Sequence, residues 1–227
     1  MTDLALQNPE AWRRVGIMGG TFDPIHHGHL VVAEEARDRF QLDRVVFVPN
    51  GEPPHKKPYD VSDGGHRFNM CVLATGGNPY FAVSREEIER PGVSYTVDTL
   101  RAFRARLGPD VEMFFITGAD AVLEIMTWHQ PDVILGECQI VAAHRPGFDL
   151  SLLGQALGPD RLTRVQALAI PAMDVSSTDL RHRVAEGRSI GYLTPDSVVD
   201  YISKMGLYHD ADTIERSAQG GQAHASR

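Results

Sequence analysis

The stretch RVGIMGGTFDPIHHGHLVVAEEARDRF, Arg14 to Phe40, sets the fold expected of this chain. RVGIM (14–18) is a short apolar run of strand type. GHLVVAEEARDRF places Leu30, Ala33, Ala36 and Phe40 on one helical face, with charged residues opposite. Between the two, GGTFDPIHHGH crowds glycines and three histidines into a strand-to-helix turn. Gly19 and Gly20 let peptide N–H groups come close to an anion. His26 and His29 stand three apart, one before the helix and one in its first turn, where the helix dipole favours negative charge. The turn is not a Walker A loop, not GxGxxG, and lacks the HExxH spacing of a zinc helix. Taken alone it is compatible with a phosphate site, a metal site or a polar turn, with His27 turned towards solvent.

The same alternation continues along the chain. RVVFVP (44–49), YFAVS (80–84), VEMFFIT (111–117), QIVAAH (139–144) and VQALAI (165–170) read as strands. TVDTLRAFRARLG repeats the helical pattern with Val97, Leu100, Phe103 and Leu107, and Gly108 sits where the helix would stop. Strand alternating with helix predicts an α/β fold: a mostly parallel sheet with helices on both faces. SSTDLRHRVAEG and PDSVVDYISKMG would add a small helical C-terminal part. Ligands of such sheets bind beyond the carboxyl ends of the strands. The pattern predicts a single domain over 1–208, with a leader at 1–13 and a mobile tail at 209–227 that has no periodicity. The proline-rich PNGEPPHKKPYD (49–60) reads as an ordered loop or lid and not as an interdomain linker.

Composition bounds the function. The chain has 227 residues, 42% of them hydrophobic and 23% charged, which suits a soluble globular domain with a real core. Its net charge of -8 argues against a surface devoted to nucleic acid or anionic membrane, while leaving room for a local basic pocket. Cys71 and Cys138 form no CxxC pair and read as buried thiols in a reducing compartment. The N-terminal MTDLALQNPEAWRR has no signal-peptide pattern, and no apolar run approaches the ~20 residues of a membrane span. A cytoplasmic protein without membrane or nucleic-acid partners is expected, and self-association is left open.

A second phosphate-competent stretch is MDVSSTDLRHRV (173–184). Ser176, Ser177 and Thr178 stand at a helix start, with Arg181 one turn in; alone, this is ordinary capping. Paired with GGTFDPIHHGH, however, VSSTDLR resembles the ISSTxxR signature that accompanies GTFDPxHxGH in the HxGH nucleotidyltransferase superfamily. Three further stretches, PNGEPPHKK (49–57), VSYTVDTL (93–100) and ITGADAVLEIMTWH (116–129), resemble those of bacterial nicotinate-nucleotide adenylyltransferases. The resemblance runs from Val15 to Tyr208.

The resemblance implies a Rossmann-like nucleotidyltransferase fold and a reaction in which ATP and nicotinate mononucleotide give nicotinate adenine dinucleotide and pyrophosphate. It implies that His26, His29 and Arg181 are catalytic. ATP would be bound by Gly19, Gly20, Thr21, Phe22, His26, His29, Gly118, Asp120, Ser176, Ser177, Thr178 and Arg181. Nicotinate mononucleotide would be bound by Lys56, Tyr95, Thr96, Trp128 and Arg145, with Trp128 offering a flat face to the pyridine ring. Mg²⁺ would be held mainly by ATP phosphates and water, without ligands from the chain. Here His144 precedes the RPG arginine, where the family often has a basic residue, and GGHRFNM (64–70) matches only loosely. The rivals are a pantetheine-phosphate adenylyltransferase or a cytidylyltransferase, against which SYTVDTL and TWH discriminate. A non-catalytic nucleotide-binding or metal-binding module is the rival of another class.

Overall fold

The computed structural model describes residues 12–51 and 61–209. Six strands, β1 (Arg14–Gly20), β2 (Arg44–Pro49), β3 (Phe81–Val83), β4 (Glu112–Gly118), β5 (Gln139–His144) and β6 (Val165–Ala169), form one sheet. The order is β3-β2-β1-β4-β5-β6, and every adjacent pair is parallel. The expected mostly parallel sheet is therefore wholly parallel among the described residues.

Parallel strands buried on both faces need apolar residues at successive positions, and the strand period of two then deals them to opposite sides. Val15 and Ile17 of β1 and Met113 and Phe115 of β4 pack into one core. Phe114 and Ile116 of β4, with Val45 and Phe47 of β2, pack into the other. The first core is covered by α3 (Thr96–Leu107), α4 (Ala119–Leu123), α5 (Pro131–Glu137) and α6 (Ser151–Leu162). The second is covered by α1 (His27–Phe40), α2 (Gly64–Thr75), α7 (Ser177–Ala185) and α8 (Asp196–Met205). The predicted helical faces hold: Ala33 and Ala36 of α1, and Val97, Leu100 and Phe103 of α3, are buried. Gly108 caps α3 as expected.

Trp12, assigned to the leader, instead packs into the first core, with the Arg44 guanidinium 5.1 Å from its ring centre. Lys56 and most of the proline-rich loop lie outside the described residues, as does the tail from 210 onwards. No described helix is long and apolar enough to cross a membrane.

From β1 the chain works outward through β2 to β3, and from β4 outward through β5 to β6. The carboxyl ends of β1 and β4 are therefore a topological switch point, where doubly wound sheets bind ligands.

Candidate active site

Two cavities open at that switch point. The first, about 700 Å³, is walled by His26, His29, Gly118, Asp120, His144, Arg145, Ser176 and Ser177, among others. The second, about 660 Å³, is walled by Gly19, Gly20, Thr21, Asn50, Glu87, Ser94, Tyr95, Thr96, Trp128 and neighbours. Thr117, near the end of β4, lines both. A ligand in one cavity and a ligand in the other would meet beside it.

The first cavity is built on the start of α1. His26 is the extended residue before the helix, and its backbone N–H donates to Nδ1 of His29 at 3.2 Å. That bond leaves the His29 proton on Nε2. The two rings stack with centroids 3.7 Å apart, and Phe22 meets His29 edge-on at 5.0 Å. A Cβ on Gly28 would stand 3.0 Å from the His26 ring, so glycine permits this packing. Desolvation holds both imidazoles neutral: that of His26 is lowered to about 4 by burial, then by Arg145 and His27. That of His29 is lowered well below its usual value by burial, then by His26. Nδ1 of His26 is buried without a hydrogen-bond partner. The pair is thus a rigid set of neutral imidazoles at a helix N-terminus, suited to donating hydrogen bonds to an anion.

This depression has a measurable consequence. In the unfolded chain His26 titrates near 6.5, so between pH 6.5 and about 4 the unfolded state binds the extra proton. The stability due to a neutral His26 is present above pH 6.5 and is lost as pH falls towards 4. The full depression corresponds to roughly 3 kcal/mol. Urea unfolding at pH 7.5 and pH 4.5 should show a fall that His26→Gln reduces, His29 accounting for part of what is left. An equal fall in the variant would refute the assignment.

The start of α7 faces the same cavity. The Ser176 hydroxyl accepts from the Asp179 N–H and caps the helix. Ser177 Oγ donates to the Pro24 carbonyl at 2.8 Å, and Arg181 Nη1 donates to the Asp23 carbonyl at 2.7 Å. These bonds join the two signature segments across 153 and 158 positions of sequence.

The sequence-predicted residues divide between the two cavities in a way that adjacency along the chain does not reveal. His26, His29, Gly118, Asp120, Ser176 and Ser177 come together in the first. Gly19, Gly20 and Thr21, grouped with them from sequence, line the second, because β1 carries them past the switch point. Phe22 is buried and supports the His29 ring without lining either wall. Thr178 and Arg181 also line neither; Arg181 Nη2 reaches the Thr178 hydroxyl at 3.4 Å. Arg145, grouped with the mononucleotide residues, lines the first cavity and pairs with Asp174 at 3.2 Å. The reason is that β5 ends on the far side of β4 from β1. Tyr95, Thr96 and Trp128 come together in the second cavity. Tyr95 immediately precedes α3, and the Trp128 indole meets Phe115 edge-on at 6.0 Å. His27 lines neither cavity, and its N–H donates to the Leu193 carbonyl.

Glu87 was invisible to sequence reasoning. It lies in the charge-rich stretch REEIERPG, yet it is 7% exposed and lines the second cavity. Burial raises its carboxyl, against the lowering effect of the Thr99 hydroxyl, which donates to it at 2.7 Å. Its carbonyl would lie 2.2 Å from a Cβ on Gly51, so only glycine lets these two segments touch.

The cytidylyltransferase-like family profile matches residues 17–183. A relative from Moorella thermoacetica, described as a probable nicotinate-nucleotide adenylyltransferase, is 54% identical over 198 residues, covering 86% of this chain and 91% of its own. One from Acidothermus cellulolyticus with the same description is 49% identical over 203 residues, covering 88% and 96%. Among solved structures, Plasmodium falciparum nicotinic acid mononucleotide adenylyltransferase complexed with NaAD is similar in fold. Its TM-score is 0.70 at 20% identity, with 86% of this chain and 97% of that one covered.

Proposed function

Because this chain belongs to the nicotinate-nucleotide adenylyltransferase family, within the cytidylyltransferase-like group, we propose that it transfers the adenylyl group of ATP to nicotinate mononucleotide. The products are nicotinate adenine dinucleotide and pyrophosphate. The observation that carries the reading is the pair of cavities meeting at Thr117, one walled by neutral histidines and a helix start, the other by Trp128 and the start of α3.

ATP would occupy the first cavity, with Asp120 able to accept from ribose hydroxyls and His26 and His29 at the phosphates. A phosphate oxygen of the mononucleotide attacks the α-phosphorus in line. The new P–O bond forms as the bond to the departing pyrophosphate breaks, without a covalent enzyme intermediate. Such chemistry needs positioning and charge stabilisation more than a protein nucleophile. Mg²⁺ is part of the substrate, carried on the triphosphate. Ser177 and Arg181 would exchange their Pro24 and Asp23 carbonyl partners for oxygens of the leaving phosphates, since charge-assisted bonds are the stronger. The second cavity would take the nicotinate ring against Trp128 and its carboxylate at the N–H groups opening α3.

Residues up to Tyr208 would act as one catalytic domain. A reducing cytoplasm suits the two buried free thiols, Cys71 and Cys138.

The test is pyrophosphate release with Mg–ATP and, separately, nicotinate mononucleotide, its amide, or phosphopantetheine. Turnover is expected with the first, and its absence, or a preference for phosphopantetheine, would overturn the proposal. Trp128→Ala should raise KM for nicotinate mononucleotide by about tenfold or more, the usual range for a lost stacking face, and leave KM for ATP nearly unchanged. An unaltered mononucleotide KM would remove the stacking role.

A further inference from the structure

Arg67, in α2, is 3% exposed and lines neither cavity. A guanidinium taken out of water costs several kcal/mol unless its donors are used well. Those of Arg67 go to three main-chain carbonyls: Nε to Ser62 at 2.9 Å, Nη1 to Thr21 at 3.0 Å and Nη2 to Gly51 at 3.4 Å. The three acceptors lie on separate segments, two of which reach the second cavity. Thr21 lines the second cavity itself. Gly51 follows Asn50, which lines it, and is wedged against Glu87 and Ser94, which also line it. Ser62 donates its N–H to Asp23, whose carbonyl receives Arg181.

We propose that Arg67 is a positioning residue for the second cavity, its planar fork fixing the Thr21 and Gly51 segments at the spacing that the mononucleotide requires. The inference rests on the function proposed above for that cavity. An apolar side chain would fill the same space more cheaply, but it could not hold three carbonyls in register. Lysine, a point charge with rotatable donors, cannot reproduce the fork. Burial lowers the Arg67 pKa, and the nearby Asp23 carboxylate, with Asp63 beyond it, works against that lowering.

Arg67→Lys should therefore raise KM for nicotinate mononucleotide by about tenfold, with KM for ATP within about twofold, because sub-ångström displacement of a binding wall is felt at that level. A merely structural Arg67 would lower the thermal midpoint without separating the two KM values. The inference is overturned if the mononucleotide KM stays within about twofold of wild type, or if both KM values rise together. Wild type serves as the control on the reaction itself: no turnover of nicotinate mononucleotide there sinks the functional reading, whatever the variant does. Should Arg67→Lys not fold, hydrogen exchange on wild type decides. Nicotinate mononucleotide should slow exchange in peptides spanning 47–51 and 61–67, and ATP alone should not. Equal protection by both, or none by the mononucleotide, would overturn the inference.

Discussion

His29→Ala should lower kcat by about 10²–10³ while the protein stays folded, the cost typical of removing one donor aimed at charge that develops in the transition state. The proposed function makes His29 such a donor, and its surroundings suit that role. Its Nδ1 is occupied by the His26 N–H, its ring is pinned between His26 and Phe22, and it lies on the wall of the first cavity. The remaining N–H, on Nε2, has no tautomeric choice left. The ring is also neutral, since burial and the neighbouring His26 keep its pKa well below the ordinary value. On that proposal His29 would act without gaining or losing a proton, and kcat should not fall as pH rises from 7 to 8.5 on its account. The stability cost should be about that of a lost helix-start hydrogen bond, about 1 kcal/mol or a few degrees in Tm. Steady-state rates at saturating Mg–ATP, with a thermal melt of the same preparation, make the check. A kcat within about threefold of wild type would show that the phosphate site lies elsewhere.

Much of this architecture was legible in the sequence, for a definite reason. A parallel sheet covered on both faces must be written as apolar runs such as RVVFVP and QIVAAH, and both are strands from end to end. The helix faces were legible for the same reason, as Val97, Leu100 and Phe103 show. The site was legible only in part. The His26–His29 turn and the capping of α7 by Ser176 are local, and local chemistry can be read along a chain. The side of β4 on which a residue emerges is set by strand order, so Gly19 and Arg145 line a different cavity from most of the residues grouped with them from sequence. Arg67 and Glu87 left no signal, because a charged residue in sequence reads as solvated until the fold closes over it.

Asp23 gives the largest expected effect on stability. Its carboxylate is 3% exposed and accepts from the Ser62 N–H at 3.1 Å and the Tyr208 hydroxyl at 2.6 Å. It also supplies negative charge beside the buried Arg67. The Tyr208 hydroxyl is held protonated by burial and by that same carboxylate, so it serves purely as a donor. Tyr208 thereby ties the chain following α8 to the turn between β1 and α1. Asp23→Ala strips the compensation from a buried cation and the acceptor from a buried phenol. The two buried hydrogen bonds to the charged acceptor are worth about 1.5–3 kcal/mol each, so the loss is about 3–6 kcal/mol. For a chain of this size that is a fall in Tm of about 10 °C. Asp23→Asn, which keeps one carbonyl oxygen and nearly the same volume, should lose less. If the cost arises from the uncompensated guanidinium, Asp23→Ala combined with Arg67→Met should be clearly less destabilised than the sum of the two single changes. Additive losses in a double-mutant cycle would mean that the two charges do not depend on each other.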